Sequence, residues 1–291
     1  MRSLLFVPGD SPKKLAKGLA SAADVLIVDL EDSVAPAAKA AARAIATDFV
    51  GESGAKKPIF VRVNALDSGL IEDDLAAVMP SRLYGIMLPK AAGPAAVDQV
   101  STMLRVHEAA NGIGDGATKI LPIITETAAA TLLAATWRSS HPRLAGRTWG
   151  AEDLSADIGA TATRDAAGQL TEPYRLARSL TLLAAAACET AAIDTVFVDF
   201  ADRDGLVREC ADAARDGFTA KMAIHPAQID AINAAFTPSA VDIARAKEIV
   251  AAFAAAGGAG VVAMAGGMVD RPHLRLAERL LARAALWSQR L

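Results

Sequence analysis

The chain has 291 residues, of which 53 % are hydrophobic, 22 % charged and only 4 % aromatic, with a net charge of −3. That apolar share excludes a disordered chain, and 13 prolines with 21 glycines exclude a collagen-like or low-complexity one. The missing basic excess argues against non-specific nucleic-acid binding.

Alanine supplies 67 residues, so the core is filled by Ala, Leu, Val and Ile rather than by rings. The length exceeds a usual domain of ~100–200 residues, but an α/β barrel of ~250 residues is one domain. Cys188 and Cys210 fall in predicted helices without CxxC spacing, which fits reduced thiols better than a disulfide framework. The apolar stretch before Pro8 is too short for a signal peptide. Ile249–Val269 carries no charge over 21 residues, long enough to cross a bilayer, yet five glycines interrupt it. It reads as helix–loop–strand, so no membrane span and a cytoplasmic location are expected.

In chain order, short and nearly continuous apolar runs alternate with longer helical stretches. The runs Ser3–Val7, Val25–Leu30, Ile59–Val63 and Gly85–Leu88 are predicted strands, followed by Ile120–Ile124, Arg147–Trp149, Thr195–Asp199 and Thr219–Ile224. Between them the pattern predicts helices over Pro12–Ala22, Ala35–Phe49, Leu70–Val78 and Pro94–Ala110. Further helices are predicted over Ala128–Arg138, Pro173–Ala192, Arg203–Arg215 and Ala227–Ala235. The first of these has Ser11 as cap and Pro at its first position. Eight such units predict a (β/α)8 TIM barrel over residues 1–236, although a doubly wound open sheet uses the same units. Residues 237–291 form a C-terminal helical extension: a helix Pro238–Ala256, a glycine-rich segment and a helix from Pro272 onward. It is too short to fold alone, so it is expected to pack on the barrel or on a neighbouring subunit.

In a barrel the chemistry sits where strands end. Those ends carry Asp10, then Asp29, Glu31 and Asp32, then Arg62 and Asn64, then Lys90, Glu126, Glu152 and Asp153, Asp199 and His225. Glu126 and Asp153 end adjacent predicted strands. Carboxylates without nearby His or Cys suit a hard cation, Mg²⁺ or Mn²⁺, and His107, His141, His225 and His273 show no zinc spacing. The equally weighted alternative makes both acids helix caps or solvated loop ends. Arg62 fits a substrate carboxylate or developing oxyanion, or else an ion pair with Asp29, Glu31 or Asp32. Glu31 and its neighbours are then either orienting groups for metal-bound water or merely the partners of Arg62. Lys13, Lys14 and Lys17 at a helix start suit a phosphate, or form an ordinary solvated first turn. Lys90 raises the option of an imine with a keto substrate, though a structural or anion-binding lysine is the commoner case.

The motifs R-S-L-L-F-V-P-G-D at Arg2–Asp10, V-D-L-E-D-S-V-A-P at Val28–Pro36 with Lys39 and Arg43, and V-R-V-N at Val61–Asn64 resemble the citrate lyase β-subunit-like proteins. So do G-I-M-L-P-K at Gly85–Lys90, G-A-E-D-L-S at Gly150–Ser155, I-H-P-A-Q-I at Ile224–Ile229 and G-G-M-V-D at Gly266–Asp270. These proteins belong to the HpcH/HpaI aldolase group, with the malyl-CoA and citramalyl-CoA lyases. The resemblance implies a TIM barrel, Mg²⁺, and carbon–carbon cleavage or formation between a 2-keto acid and an acetyl thioester. It implies that Glu126 and Asp153 hold the metal, Arg62 contacts substrate, and backbone N–H groups around Gly150, Ala151 and Glu152 hold the keto-acid carboxylate. It further implies a homotrimer in which Asp270 supplies acid/base chemistry to an adjacent subunit; on local sequence alone, Asp270 before Arg-Pro is a good helix cap. Two departures stand out: A-G-G-M replaces the common D-G-K-M, leaving Gly267 where relatives have lysine, and T-E-T at Thr125–Thr127 replaces I-E-T. The rival readings are a citrate lyase subunit acting on an acyl-carrier-protein thioester, a malyl-CoA thioesterase, and a non-catalytic barrel that binds metal and keto acid.

Overall fold

A computed structural model describes residues 1–264 and 267–288. The chain divides into two compact units, Met1–Asn233 and Ala234–Leu291. In the first, the strands are β1 (Ser3–Pro8), β2 (Val25–Asp29), β3 (Ile59–Arg62), β4 (Gly85–Leu88), β5 (Lys119–Pro122), β6 (Ile193–Asp194) and β7 (Ala220–Ala223). The helices between them are α1 (Pro12–Leu19), α2 (Lys39–Ser53), α3 (Ile71–Val78), α4 (Pro94–Ala110) and α5 (Ala128–Leu132). After β5 come also α6 (Ala151–Ile158) and α7 (Glu172–Ala187), then α8 (Arg203–Asp216) and α9 (Ile229–Ala235).

The seven strands form one curled parallel sheet in the order β5-β4-β3-β2-β1-β7-β6. Side chains alternate across a strand, and one face gathers Leu4, Val25, Ile27, Phe60, Met87, Leu121, Ile193, Ala220 and Met222 into a buried cluster. The opposite face receives the helices. A Cβ added at Gly18 of α1 would sit 2.8 Å from Val7, so the helix can approach the sheet this closely only with glycine there. Both faces are covered, which is why the strands read as continuous apolar runs.

Two expected strands differ from the prediction. Arg147–Trp149 is no regular strand: segment 144–148 makes isolated parallel bridges, Ile120↔Leu144 and Ile123↔Thr148 on one side and Arg147↔Ala192 on the other. Its hydrogen bonds alternate between neighbours, Ala145 and Thr148 donating toward β5 and Arg147 to Ala191, so no run on either side is long enough to count. Thr195–Asp199 is irregular, and the strand lies just before it at β6. There Asp194 is buried because it accepts from Trp149 Nε1 at 2.8 Å and pairs with the buried Lys221 at 3.1 Å. Helix α6 has no counterpart among the predicted helices, α5 is shorter than expected, and α7 stops at Ala187.

The second unit contains α10 (Ala240–Ala255), capped by Ser239, whose hydroxyl accepts from the Asp242 N–H at 3.1 Å. An antiparallel hairpin follows, β8 (Val261–Met264) and β9 (Gly267–Asp270), and then α11 (Arg271–Ser288), which packs along α10. Gly266 of the G-G-M-V-D motif and the last three residues of the final predicted helix lie outside the described residues. Among the described residues no helix is long and apolar enough to cross a membrane.

At the end of the sheet away from the strand C-termini, Arg143 grips Glu108 of α4 through two bonds of 2.6 and 2.7 Å. Burial opposes ionisation of Glu108, but the guanidinium and the Thr118 and Gly116 N–H groups win and hold its carboxyl at about 2. A depressed folded pKa gives stability that is present above the unfolded value near 4.5 and lost as pH falls toward 2. Glu108→Gln should therefore cost about 3 kcal/mol at pH 7, because it leaves Arg143 without its buried carboxylate. It should also flatten the fall in melting temperature between pH 5 and pH 2. An acid limb identical to that of the unmodified protein would refute the assignment.

Candidate active site

Because all seven strands run parallel, their C-terminal ends open onto one edge, where the preceding alternation sets which side chains face inward. Ile27 belongs to the inner cluster, so Asp29 two residues on faces the same way; Phe60 likewise puts Arg62 on that face. Arg62 lies with its guanidinium carbon 5.0 Å from the centre of the Phe6 ring. Its Nε and Nη2 each donate to Asp29 at 2.7 Å, and Nη1 lies 3.1 Å from Glu31 Oε2 and 3.7 Å from Asp32. Of the two readings open for Arg62, the ion pair is present, with all three acids. Burial works against the charges of Arg62 and Asp29, yet their contact raises the arginine and lowers the aspartate from their ordinary values. Asp29 also accepts from the backbone N–H groups of Glu31 and Ser33, at 2.9 and 3.1 Å, which fixes the turn after β2.

Glu31 is buried. Burial pushes its carboxyl up, against the pull of Arg62 and Lys90. Lys90 Nζ donates to Glu31 Oε1 at 2.6 Å and lies 3.4 Å from Asp153 Oδ1. The Lys90 backbone is left-handed, with φ +52°, a conformation costing a non-glycine residue about 1 kcal/mol or more. In that pose its N–H donates to Glu126 Oε1 while its ammonium reaches Glu31 and Asp153.

Glu126 follows β5, is 1 % exposed, and its Oε2 has no hydrogen-bond partner among the described residues. Burial, then the nearby charge of Asp153, pushes its carboxyl up to about 8. Asp153 sits in the first turn of α6, whose N-cap is Gly150. A Cβ at Gly150 would lie 2.9 Å from both Cβ and Oε2 of Glu126, so only glycine allows the helix start to touch this carboxylate. Neither Glu126 nor Asp153 caps a helix through a side-chain bond: Thr127 caps α5 by accepting from Ala130, and Gly150 precedes α6.

The donor set fits a hard cation. It consists of oxygens alone, one of them buried and without a partner among the described residues, and the charge of Asp153 opposes ionisation of Glu126 even with the Lys90 ammonium close by. Among the described residues no group of three or more His, Cys, Asp or Glu forms a ready metal cage, so water or substrate oxygens would complete the coordination. Ala151 is buried and Glu152 exposed in the first turn of α6, while Lys13 and Lys14 are exposed in the first turn of α1. In the second unit, Asp270 ends β9, and its Oδ1 lies 2.5 Å from His273 Nδ1 and 3.5 Å from the His273 backbone nitrogen.

Sequence reasoning missed what carries the turn after β2. Lys39 donates at 2.8 Å to the carbonyls of Leu30 and Glu31 and to Asn64 Oδ1, and Asn64 in turn donates to Asp74, which Arg43 grips at 2.7 Å. The lysine and arginine stand in the motif region, but only the fold reveals that they fix Glu31 from behind.

A family model described as HpcH/HpaI aldolase/citrate lyase matches residues 2–226. A citrate lyase subunit beta-like protein of Mycobacterium tuberculosis is 38 % identical over 280 residues, covering 96 % of this chain and 94 % of that one. A mitochondrial citramalyl-CoA lyase of Mus musculus is 33 % identical over 296 residues, covering 97 % and 86 %. Among solved structures, protein CitE of M. tuberculosis, in complex with magnesium, acetoacetate and coenzyme A, superposes with a TM-score of 0.79 at 36 % identity, covering 98 % of this chain and 100 % of that one. The matches run nearly end to end and take in every strand end that carries a charged group, so the chain belongs to the HpcH/HpaI aldolase/citrate lyase family.

Proposed function

We propose that this protein is a Mg²⁺-dependent carbon–carbon lyase that cleaves or forms a 3-hydroxyacyl-CoA thioester of the malyl-CoA or citramalyl-CoA type, yielding a 2-keto acid and acetyl-CoA. The observation that carries this reading is the pair Glu126 and Asp153, an oxygen-only site at the strand ends near the half-buried Arg62. The mouse citramalyl-CoA lyase and the magnesium, acetoacetate and coenzyme A complex of the Mycobacterium protein supply the substrate class.

In this reading Glu126 and Asp153 hold the metal. Mg²⁺, or Mn²⁺ in its place, supplies positive charge that polarises the keto-acid oxygens. The free N–H groups of Gly150, Ala151 and Glu152, at the start of α6, receive the keto-acid carboxylate. In cleavage the substrate hydroxyl gives its proton to solvent water as the carbon–carbon bond breaks, and the electron pair of that bond leaves with the acetyl carbon, giving a keto acid and a thioester enolate. Arg62, anchored by Asp29 and Glu31, faces the developing negative oxygen, and Glu31 keeps that arginine aimed. Asp270 of a neighbouring subunit relays a proton from solvent water to the enolate carbon; in condensation its carboxylate removes the methyl proton instead. Lys13 and Lys14 offer exposed positive charge for the phosphates of CoA.

We further infer that the curled sheet closes into a (β/α)8 TIM barrel over residues 1–236, with segment 144–148 joining its edges. The bridges from that segment to β5 and to Ala192 support closure. Residues 237–291 serve as a tail that covers the site of an adjacent subunit in a homotrimer, and the protein works in the cytoplasm.

The test is a panel of malyl-, citramalyl- and β-methylmalyl-CoA with Mg²⁺, following keto acid and free thiol together. Keto acid without free thiol, abolished by excess chelator, is the expected result. Free thiol without keto acid would make the protein a thioesterase. Turnover only of acyl-carrier-protein thioesters would make it a citrate lyase subunit, and no turnover of either would favour a non-catalytic binder.

A further inference from the structure

Glu31, Glu126 and Asp153 bring three carboxylates to one edge of the sheet, and Arg62 is already engaged on two of its nitrogens by Asp29 at 2.7 Å each. The ammonium of Lys90 links two of the three, 2.6 Å from Glu31, which Arg62 Nη1 also approaches at 3.1 Å, and 3.4 Å from Asp153. Its backbone N–H meanwhile holds Glu126. The left-handed backbone at this residue is what lets one position address all three acids.

We propose that Lys90 is a positioning residue whose ammonium competes with the divalent cation for Asp153, so that metal entry transfers the lysine wholly to Glu31. This rests on the assignment of Glu126 and Asp153 as metal ligands. The physical reason is the sign of the charges. A positive group within ion-pair distance of a ligand oxygen lowers that oxygen's attraction for a dication, and the partly buried setting weakens solvent screening. The same ammonium, once released from Asp153, keeps Glu31 in place beside Arg62. Lys90 therefore weakens metal binding while supporting turnover. A lysine that merely propped up the site would strengthen both.

The experiment measures Mn²⁺ binding by loss of the free-ion electron paramagnetic resonance signal, with no substrate present. Lys90→Met removes the charge and keeps much of the length, and leaves the backbone bond to Glu126 available. Its affinity for Mn²⁺ should rise about tenfold while kcat falls at least about tenfold. Lys90→Arg, which keeps the charge, should stay within about threefold of the unmodified affinity. Lys90→Gln, a second neutral replacement, should raise the affinity for Mn²⁺ to a similar extent, so the expectation stands even if the methionine variant fails to fold. Affinity unchanged or weakened in the folded neutral variants, or raised equally in Lys90→Arg, would overturn the competition. The metal reading is checked separately by Glu126→Gln, which should abolish Mn²⁺ binding. If the unmodified protein binds no Mn²⁺, that reading and the role of Lys90 both fall; if it binds and only the lysine results are contrary, Lys90 alone is refuted.

Discussion

Glu126→Gln and Asp153→Asn will each lower kcat/KM by about 10³-fold or more, equivalent to roughly 4 kcal/mol of lost transition-state stabilisation. Each change removes one of two charged oxygen donors while preserving side-chain shape. In Glu126→Gln the new amide still offers an oxygen to the Lys90 N–H, the one hydrogen bond that Glu126 accepts among the described residues. Fold stability should therefore survive. It should rise slightly for Glu126→Gln without metal, since a buried carboxyl whose ionisation is opposed by burial and by Asp153 is replaced by a neutral amide. The measurements are steady-state rates with saturating Mg²⁺ and melting temperature with and without Mg²⁺. The unmodified protein should gain stability from the metal and the two variants should not. More than about a tenth of the activity remaining in either variant would contradict the ligand assignment.

Arg62→Ala will abolish turnover and destabilise the fold by about 3–5 kcal/mol, because Asp29 and Glu31 are left as buried carboxylates without their guanidinium. Arg62→Lys keeps a cation but cannot reproduce the two-bond grip on Asp29, so it should be folded and nearly inactive. This pair of variants gives access to the role of Asp270. An Asp270→Asn chain and an Arg62→Lys chain, each inactive alone, are mixed under subunit exchange. If the aspartate acts on the adjacent subunit, random trimers made from equal amounts recover about a quarter of the unmodified activity. In those sites an intact first unit meets an intact tail. No recovery after verified mixing would reject action across subunits. An active Asp270→Asn protein would leave Asp270 as the helix-start residue that its bond to the His273 N–H describes.

How far the sequence could be read follows from the same chemistry. Strands β1 to β5 and β7 were legible because each is a nearly unbroken apolar run buried on both faces. Strand β6 was displaced in the prediction because Asp194 interrupts the apolar signal, and only Trp149, Lys221 and Arg178, residues distant in sequence, make its burial tolerable. Segment 144–148 pairs by single bridges on two sides, a pattern with no mark in hydrophobic periodicity. Glu126, Asp153 and Arg62 were legible as candidates because acids and a base stand where apolar runs stop. The contacts of Lys90 were hidden, since neither a left-handed φ nor a backbone donor shows in a residue's identity. Arg62 posed a choice between ion pair and substrate group that residue types alone do not resolve, and only the fold shows its ion pairs with three acids.

The contact of Gly150 with Glu126 has a consequence for how this lineage diverges. Any side chain at position 150 would strike Cβ of Glu126 as well as its carboxylate, so rotating the carboxylate aside gives no relief. While the glutamate is retained, selection therefore holds the glycine as well. Once a duplicated copy abandons the reaction and position 126 shrinks, the constraint at 150 disappears with it. A paired change, small residue at 126 and larger residue at 150, is thus the mutational signature that separates a retired binder from a working enzyme.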